Sequence, residues 1–157
     1  MAIGEICSRE VVIVSPEESV STAARLMRQH HVGSLVVVRD IDGRSVPVGM
    51  LTDRDITISI VAPGLDASAM LVGDVMAGEV AALREDAGVG EAVELMRLKG
   101  VRRLPVVDEA GALVGLLASD DLQVLLAEEM AGLARMLSRE SAQEKARRRT
   151  PAAERIR

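Results

Sequence analysis

The sequence contains no Phe, Tyr or Trp. Without rings it has no platform on which nucleic-acid bases can stack, and no aromatic belt to seat it at a membrane interface. Its one cysteine, Cys7, excludes an intrachain disulfide and any multi-cysteine zinc site. The two histidines, His30 and His31, are neighbours and cannot supply a three-histidine site. No apolar run reaches the roughly 18 residues of a membrane span. The opening Met1-Ala2-Ile3-Gly4-Glu5 lacks the charged and apolar regions of a signal peptide, so the expected location is the cytoplasm. There is no GxxxxGK[ST] loop, and Gly88-Val89-Gly90 lacks the third glycine and the preceding context of a dinucleotide fingerprint.

What is present is aliphatic. Hydrophobic residues make up 48% of the 157, so the core must be built from Val, Leu, Ile, Ala and the eight Met. The length suits one compact domain or two small packed lobes. The net charge of −5, from 19 basic and 24 acidic residues, argues against a general nucleic-acid binder.

The chain repeats itself. At an offset of 69 residues Gly4 meets Gly73, Glu10 meets Glu79, Met27 meets Met96 and Leu35 meets Leu104. The offset then drops to 66, where Val48, Gly49, Leu51 and Asp55 meet Val114, Gly115, Leu117 and Asp121. The change falls at a glycine-containing segment and fits a hairpin turn of altered length. Each repeat reads β-α-β-β-α. The first has a strand over Val11 to Val14, a helix over about Ser19 to His30, a hairpin of Leu35 to Val38 with Val46 to Leu51, and a helix opening at Thr52. The second has Val80 to Leu83, Val89 to Leu98, Leu104 to Val107, Leu113 to Leu117 and a helix from Ser119. A lone repeat is near the size where a core is marginal, so the two are expected to pack together. The expected fold is α/β (α+β), with repeats over 1–62 and 71–128 and a linker over 63–70. A helical extension over 129–146 and a basic flexible tail over 147–157 would complete it.

Gly49-Met50-Leu51-Thr52-Asp53-Arg54-Asp55 and Gly115-Leu116-Leu117-Ala118-Ser119-Asp120-Asp121 follow the two hairpins. Val101-Arg102-Arg103-Leu104-Pro105-Val106-Val107-Asp108 takes in the apolar run Leu104 to Val107, and Val72-Gly73-Asp74-Val75-Met76 stands ahead of the second repeat's first strand. In order and twice over, these segments resemble a tandem pair of cystathionine-β-synthase (CBS) domains, across about residues 3 to 125. The resemblance implies a stand-alone pseudo-twofold module. Its two interlobe clefts would commonly hold adenosyl ligands such as AMP, ATP or S-adenosylmethionine, and would regulate a partner protein. No cofactor is required.

Thr52 and Asp55 read in two ways. A threonine three residues before an acidic residue at a helix start makes a capping box. A carboxylate there can also accept both hydroxyls of a ribose, and Thr52 can donate to a phosphate. Asp121 recurs in the second repeat, but Ala118 replaces Thr52 and Ser119 supplies the nearest hydroxyl. Arg102 and Arg103 read either as solvated charges or as phosphate ligands, since guanidinium suits bidentate contact. The resemblance assigns them to the Asp55 site and their uncharged counterparts, Gly33 and Ser34, to the Asp121 site. Without rings, a base would lie against aliphatic walls. Val12, Ile13 and Met50 are the candidates at the first site, and Val80, Ala81 and Leu116 at the second. Each of these also reads as ordinary core. Cys7 aligns with Met76 and reads as a buried structural thiol. His30 and His31 fall at a helix end, where positive charge suits the dipole. No catalytic set or metal cluster is recognisable.

Past Asp121 the apolar positions Leu122, Leu125, Leu126, Met130, Leu133, Met136 and Leu137 keep helical spacing. Such a stripe needs cover, from a second subunit or from the lobe itself. Residues 138–157 hold seven basic and three acidic side chains, either a solvated end or a docking segment. The leading expectation is a homodimeric, non-enzymatic sensor of an adenosyl ligand, with no membrane or nucleic-acid partner. The alternative is a ligand-free dimerisation or interaction scaffold working through the C-terminal helix.

Overall fold

The computed structural model describes residues 1–149. They fall into two units, Met1–Ser119 and the chain from Asp120 onward. In the first unit each repeat supplies a three-stranded sheet. β1 (Ile13–Val14), β2 (Ser34–Ile41) and β3 (Arg44–Thr52) form the first sheet in that order, and β4 (Leu83–Arg84), β5 (Arg103–Val107) and β6 (Leu113–Ala118) the second. In each, the short outer strand runs parallel to the middle one, and the other two form an antiparallel hairpin. Both hairpins slip register at the same place in the repeat, between Val37 and Val38 and between Val106 and Val107.

The hairpins differ where the repeat offset changes. The first turns tightly on Asp42 and Gly43, at φ of 54° and 76°. That left-handed pair matches the twist of the flanking strands, and the Asp40 carboxylate accepts from the Gly43 N–H at 2.9 Å. The second hairpin stops earlier, and its loop is closed by Asp108, whose carboxylate accepts from the Ala112 N–H at 2.9 Å.

Each sheet packs against an eleven-residue helix, α2 (Val20–His30) and α5 (Val89–Lys99). Ser19 caps α2 by accepting from the Thr22 N–H at 3.1 Å. Glu91 reaches back to the Gly88 N–H at 3.0 Å to hold the start of α5. Val20, Ala23 and Met27 lie on one face of α2 and are buried with Leu35, Val37 and Leu51, so the helical spacing read in the sequence is the core-facing stripe.

Two short helices were not expected from the sequence: α1 (Ile3–Ile6) and α4 (Val72–Val75). They are exchanged between repeats. The Ile3 and Gly4 N–H groups donate to Ala87 and Glu85 of the second repeat, at 2.9 and 2.8 Å. The Val72 and Gly73 N–H groups donate to Glu18 and Pro16 of the first, at 2.8 and 2.9 Å. Val72, fully buried, belongs to the first repeat's core. Each repeat therefore completes the other, which is how two marginal cores become one stable unit.

After β3, α3 (Asp53–Ile56) passes into a wider π-helical turn over Thr57–Val61. After β6, α6 (Ser119–Arg149) runs for 31 residues. Its backbone stays helical through Arg149, three positions into the segment expected to be a tail; residues 150–157 of that segment lie outside the described residues. Among the described residues no helix is long and apolar enough to cross a membrane.

Candidate functional site

The end of β3 and the start of α3 form the centre of a cleft in the first unit. Thr52 is the last residue of β3 and the N-cap of α3. Its N–H and its hydroxyl both donate to Asp55 Oδ2, at 2.9 and 2.7 Å, and its Oγ1 accepts from the Asp55 N–H at 3.1 Å. The capping box is thus closed, and it fixes the Asp55 carboxylate in one orientation. Both bonds to the carboxylate end on Oδ2, so Oδ1 remains as an acceptor.

Around this pair lies a hollow of about 460 Å³, lined by Met50, Thr52, Asp53, Arg54 and Asp55, by Gly33 and Ser34, by Ala77, and by Gly100, Val101, Arg102 and Arg103. Five of the residues expected at the first site therefore converge: Met50, Thr52, Asp55, Arg102 and Arg103. The strand starts of both repeats bring them together. Gly33–Ser34 precede and open β2, and Arg102–Arg103 precede and open β5 in the same way. The lining carries three guanidinium groups and two carboxylates, suited to an anionic ligand that also offers hydroxyl donors.

Four expectations are corrected by position. Gly33, assigned to the second site, lines the Asp55 cleft, and so does Ser34. Ser34 is the cross-strand partner of Thr52, so the hairpin register forces it there, and it is buried to 7% exposure. Val12 and Ile13, assigned to the first site, do not line this cleft. They sit on or beside β1, at the far edge of the sheet from β3. Val12 packs on the first core and borders a separate hollow with Leu26 and His30. Ile13 faces another, with Glu17 and Arg39. The aliphatic wall they were expected to give comes instead from Ala77 and Val101. Ala77 arrives through the segment exchange, its backbone paired with Met50 at 3.0 and 3.4 Å.

The other residues expected at the second site are more scattered. Val80 and Ala81 line a hollow with Pro47, Val48 and Lys99. Leu116 pairs through its backbone with Ser8, at 2.9 and 3.0 Å, the counterpart of the Met50–Ala77 pair. The Ser119 N–H donates to the Arg102 carbonyl at 2.9 Å, as the Asp53 N–H does to Gly33 at 3.0 Å. Asp121 stands in the first turn of α6.

The sequence reading missed Asp53, Arg54, Ala77, Gly100 and Val101 in the Asp55 cleft. Gly33 passes close to the acidic turn, where a Cβ would stand 3.1 Å from Asp53 Oδ2. Ala77 carries no signal in the sequence, because its place depends on the exchange. Cys7 is buried, as expected. Among the described residues, no group of three or more His, Cys, Asp and Glu side chains gathers to hold a metal.

Comparison with known proteins agrees with this architecture. An uncharacterized protein of Methanopyrus kandleri is 38% identical over 122 residues, which are 78% of this chain and 61% of that protein. The chain therefore spans less than two thirds of that relative. The crystal structure of Hypoxic Response Protein I with two coordinated zinc ions is similar at a TM-score of 0.68 and 33% identity, over 78% of this chain and 97% of that one. The domain pair of protein MJ0100, crystallised in complex with 5′-methylthioadenosine and S-adenosyl-L-methionine, shares the fold at a TM-score of 0.70 and 23% identity, over 82% and 98% of the two chains. The CBS domain family model matches residues 3–62 and again 72–128. Those two matches coincide with the internal repeat and take in most of the sequence, so the chain belongs to the CBS domain family and carries two of these domains in tandem.

Proposed function

We propose that the protein is a non-enzymatic regulatory module that binds an adenosyl ligand in the Asp55 cleft and passes its occupancy to a partner protein. The observation that carries this is the convergence of a fixed carboxylate, a hydroxyl and a guanidinium pair on one hollow of about 460 Å³, a volume in the range of small-ligand sites. Asp55 would accept from the ribose hydroxyls through Oδ1. Arg102 and Arg103 would hold phosphate or another anionic group. Met50, Ala77 and Val101 would enclose the base, with methionine supplying an adaptable face. The adenosyl ligands of the MJ0100 domain pair support this ligand class. A ligand touching both Thr52–Asp55 and Arg102–Arg103 bridges the two repeats. It would favour whichever arrangement of them fits it better, and a partner could respond to that shift.

One observation favours the rival, a ligand-free scaffold. Thr52 and Asp55 already satisfy each other, as a cap alone requires. Calorimetry with AMP, ATP and S-adenosylmethionine separates the two. Binding to the wild type that is lost in Asp55→Ala, and weakened in the cap-preserving Asp55→Asn, supports the sensor. Unchanged affinity in a folded Asp55→Ala variant, or no binding by the wild type, supports the scaffold. The lack of aromatic residues adds a direct check, because the protein is nearly transparent near 280 nm. A band near 260 nm in a nucleic-acid-free preparation reports a carried ligand.

A further inference from the structure

β1 is the outer strand of the first sheet, and among the described residues no further strand lies beyond it. The Val36 N–H donates to the Val12 carbonyl at 3.1 Å, and Ile13 stands opposite Val36 in the ladder. Alternate residues of a parallel pair turn their backbone groups to the partner strand. Val12 and Val14 therefore face β2, and the N–H and carbonyl of Ile13 point outward from the sheet. The Ile13 side chain is itself 42% exposed.

The equivalent edge of the second repeat is built differently. Ala82 takes the place of Ile13 and Arg84 that of Ser15, and Arg84 is held by both carboxylate oxygens of Asp86. Fixed charge is one of the ways a sheet edge is kept from pairing. The first repeat's edge has no such guard and offers a bare aliphatic side chain.

Two hollows share Ile13 and Leu26 in their walls. One, of about 530 Å³, runs back to Glu10 and His30. The other, of about 760 Å³, runs on to Glu18 and Asp40. They form one trough along β1, beside α2, with an aliphatic middle and acidic ends. Besides His30, the one basic side chain lining it is Arg39, which stands 3.8 Å from Glu17. Among the described residues no ion pair offsets Glu10, Glu18 or Asp40.

We propose that this edge receives an extended segment of a partner protein by strand addition, one in which aliphatic and basic residues alternate. The segment's backbone pairs with the Ile13 N–H and carbonyl. Its aliphatic side chains lie on Ile13 and Leu26, and its cations reach the acidic ends of the trough. The contact is independent of what the Asp55 cleft holds.

The probe is a peptide of alternating lysine and valine, about nine residues long, titrated into the nitrogen-15-labelled full chain and followed by NMR. A dissociation constant of about 1 mM or tighter is expected at low salt, and added salt should weaken it. Amide shifts should centre on β1 and the adjoining side of α2, with slower hydrogen exchange at Ile13. The same peptide with glutamate in place of lysine should bind about 10-fold more weakly or worse. Ile13→Pro removes an N–H that the sheet does not use, which an edge strand tolerates, and should cost about 10-fold in affinity. Glu10→Lys with Glu18→Lys leaves the strand intact and should cost as much. Ala82→Pro, on the other edge, should leave binding unchanged. A wild type that does not bind the peptide, a glutamate peptide that binds as well, shifts centred away from β1, or a Glu10→Lys, Glu18→Lys variant with wild-type affinity would each overturn the proposal.

Discussion

The Sγ of Cys7 lies 2.6 Å from the point a Cβ on Gly115 would occupy, and the Sδ of Met76 lies 2.5 Å from the same point on Gly49. Each sulfur belongs to the opening segment of one repeat and each glycine to the last strand of the other. At both places the exchanged segment leaves no room for a side chain on the facing strand, and two different sulfur side chains fill the space.

A methyl group at either glycine must therefore push the exchanged segment off the sheet. At Gly115 the Ser8 carbonyl also lies 2.9 Å from the added carbon, and at Gly49 the Ala77 carbonyl lies 3.0 Å away. Backbone cannot swing aside as a methionine end can. Gly115→Ala and Gly49→Ala are each expected to cost about 1–3 kcal/mol, the usual penalty of overpacking, read as a lower urea midpoint. Adding Cys7→Ala to Gly115→Ala should recover only part of the loss, because the carbonyl remains.

The helix ends give a second pair of equivalent positions with different residues. Gly100 closes α5 at φ 65°, and His31 closes α2 at φ 53°. A side chain is strained in this left-handed conformation, by about 1–2 kcal/mol, and glycine is not. His31→Gly should raise the thermal midpoint and Gly100→Ala should lower it. The first result would also show that the His31 ring contributes little, in keeping with its exposure to solvent.

How much of this was legible beforehand follows from the range of each interaction. The repeat, both hairpins and both long helices announce themselves through local spacing, as with Val20, Ala23 and Met27 on α2. Thr52, Asp55, Arg102 and Arg103 were recognisable as site candidates because their chemistry is specific and their motifs recur. Ala77 was not, nor were α1 and α4. Their positions are set by contacts between segments 27 to 84 residues apart, such as Met50 with Ala77 and Ile3 with Ala87, and nothing in their own composition marks them. Val12 and Ile13 were misplaced for a related reason. Alternation shows that a strand is half buried, but not which edge of the sheet it takes.

Surface ionic contacts predict the acid behaviour. Arg84 donates to both carboxylate oxygens of Asp86, at 3.0 and 2.9 Å, and that hydrogen bonding holds the Asp86 carboxyl below its ordinary value of 3.8. Glu17 is likewise held below 4.5, chiefly by the Ser15 hydroxyl. A folded-state value below the unfolded one gives stability that is complete above the unfolded value and lost as pH falls through the folded value. Both groups are exposed, so the effect is small and salt-sensitive. Asp86→Asn should lie slightly below the wild type in urea midpoint at neutral pH. The gap should close below about pH 4 and in high salt. A gap that widens in acid would contradict the pairing.

The two arginines of the cleft can be separated from its carboxylate by choice of ligand. If Arg102 and Arg103 hold phosphate, each replacement by Ala should weaken AMP binding about 10-fold or more, the loss of a charge-assisted hydrogen bond. Adenosine, which has no phosphate, should bind both variants as it binds the wild type. Added salt should weaken AMP binding to the wild type more than to either variant, since screening acts on the charge that has been removed. Asp55→Asn should behave in the opposite way and weaken adenosine and AMP alike, because the ribose is common to both. Titration calorimetry of the two ligands against the three variants gives the comparison. An arginine variant that loses adenosine and AMP equally would assign that arginine to the shape of the cleft, not to the phosphate.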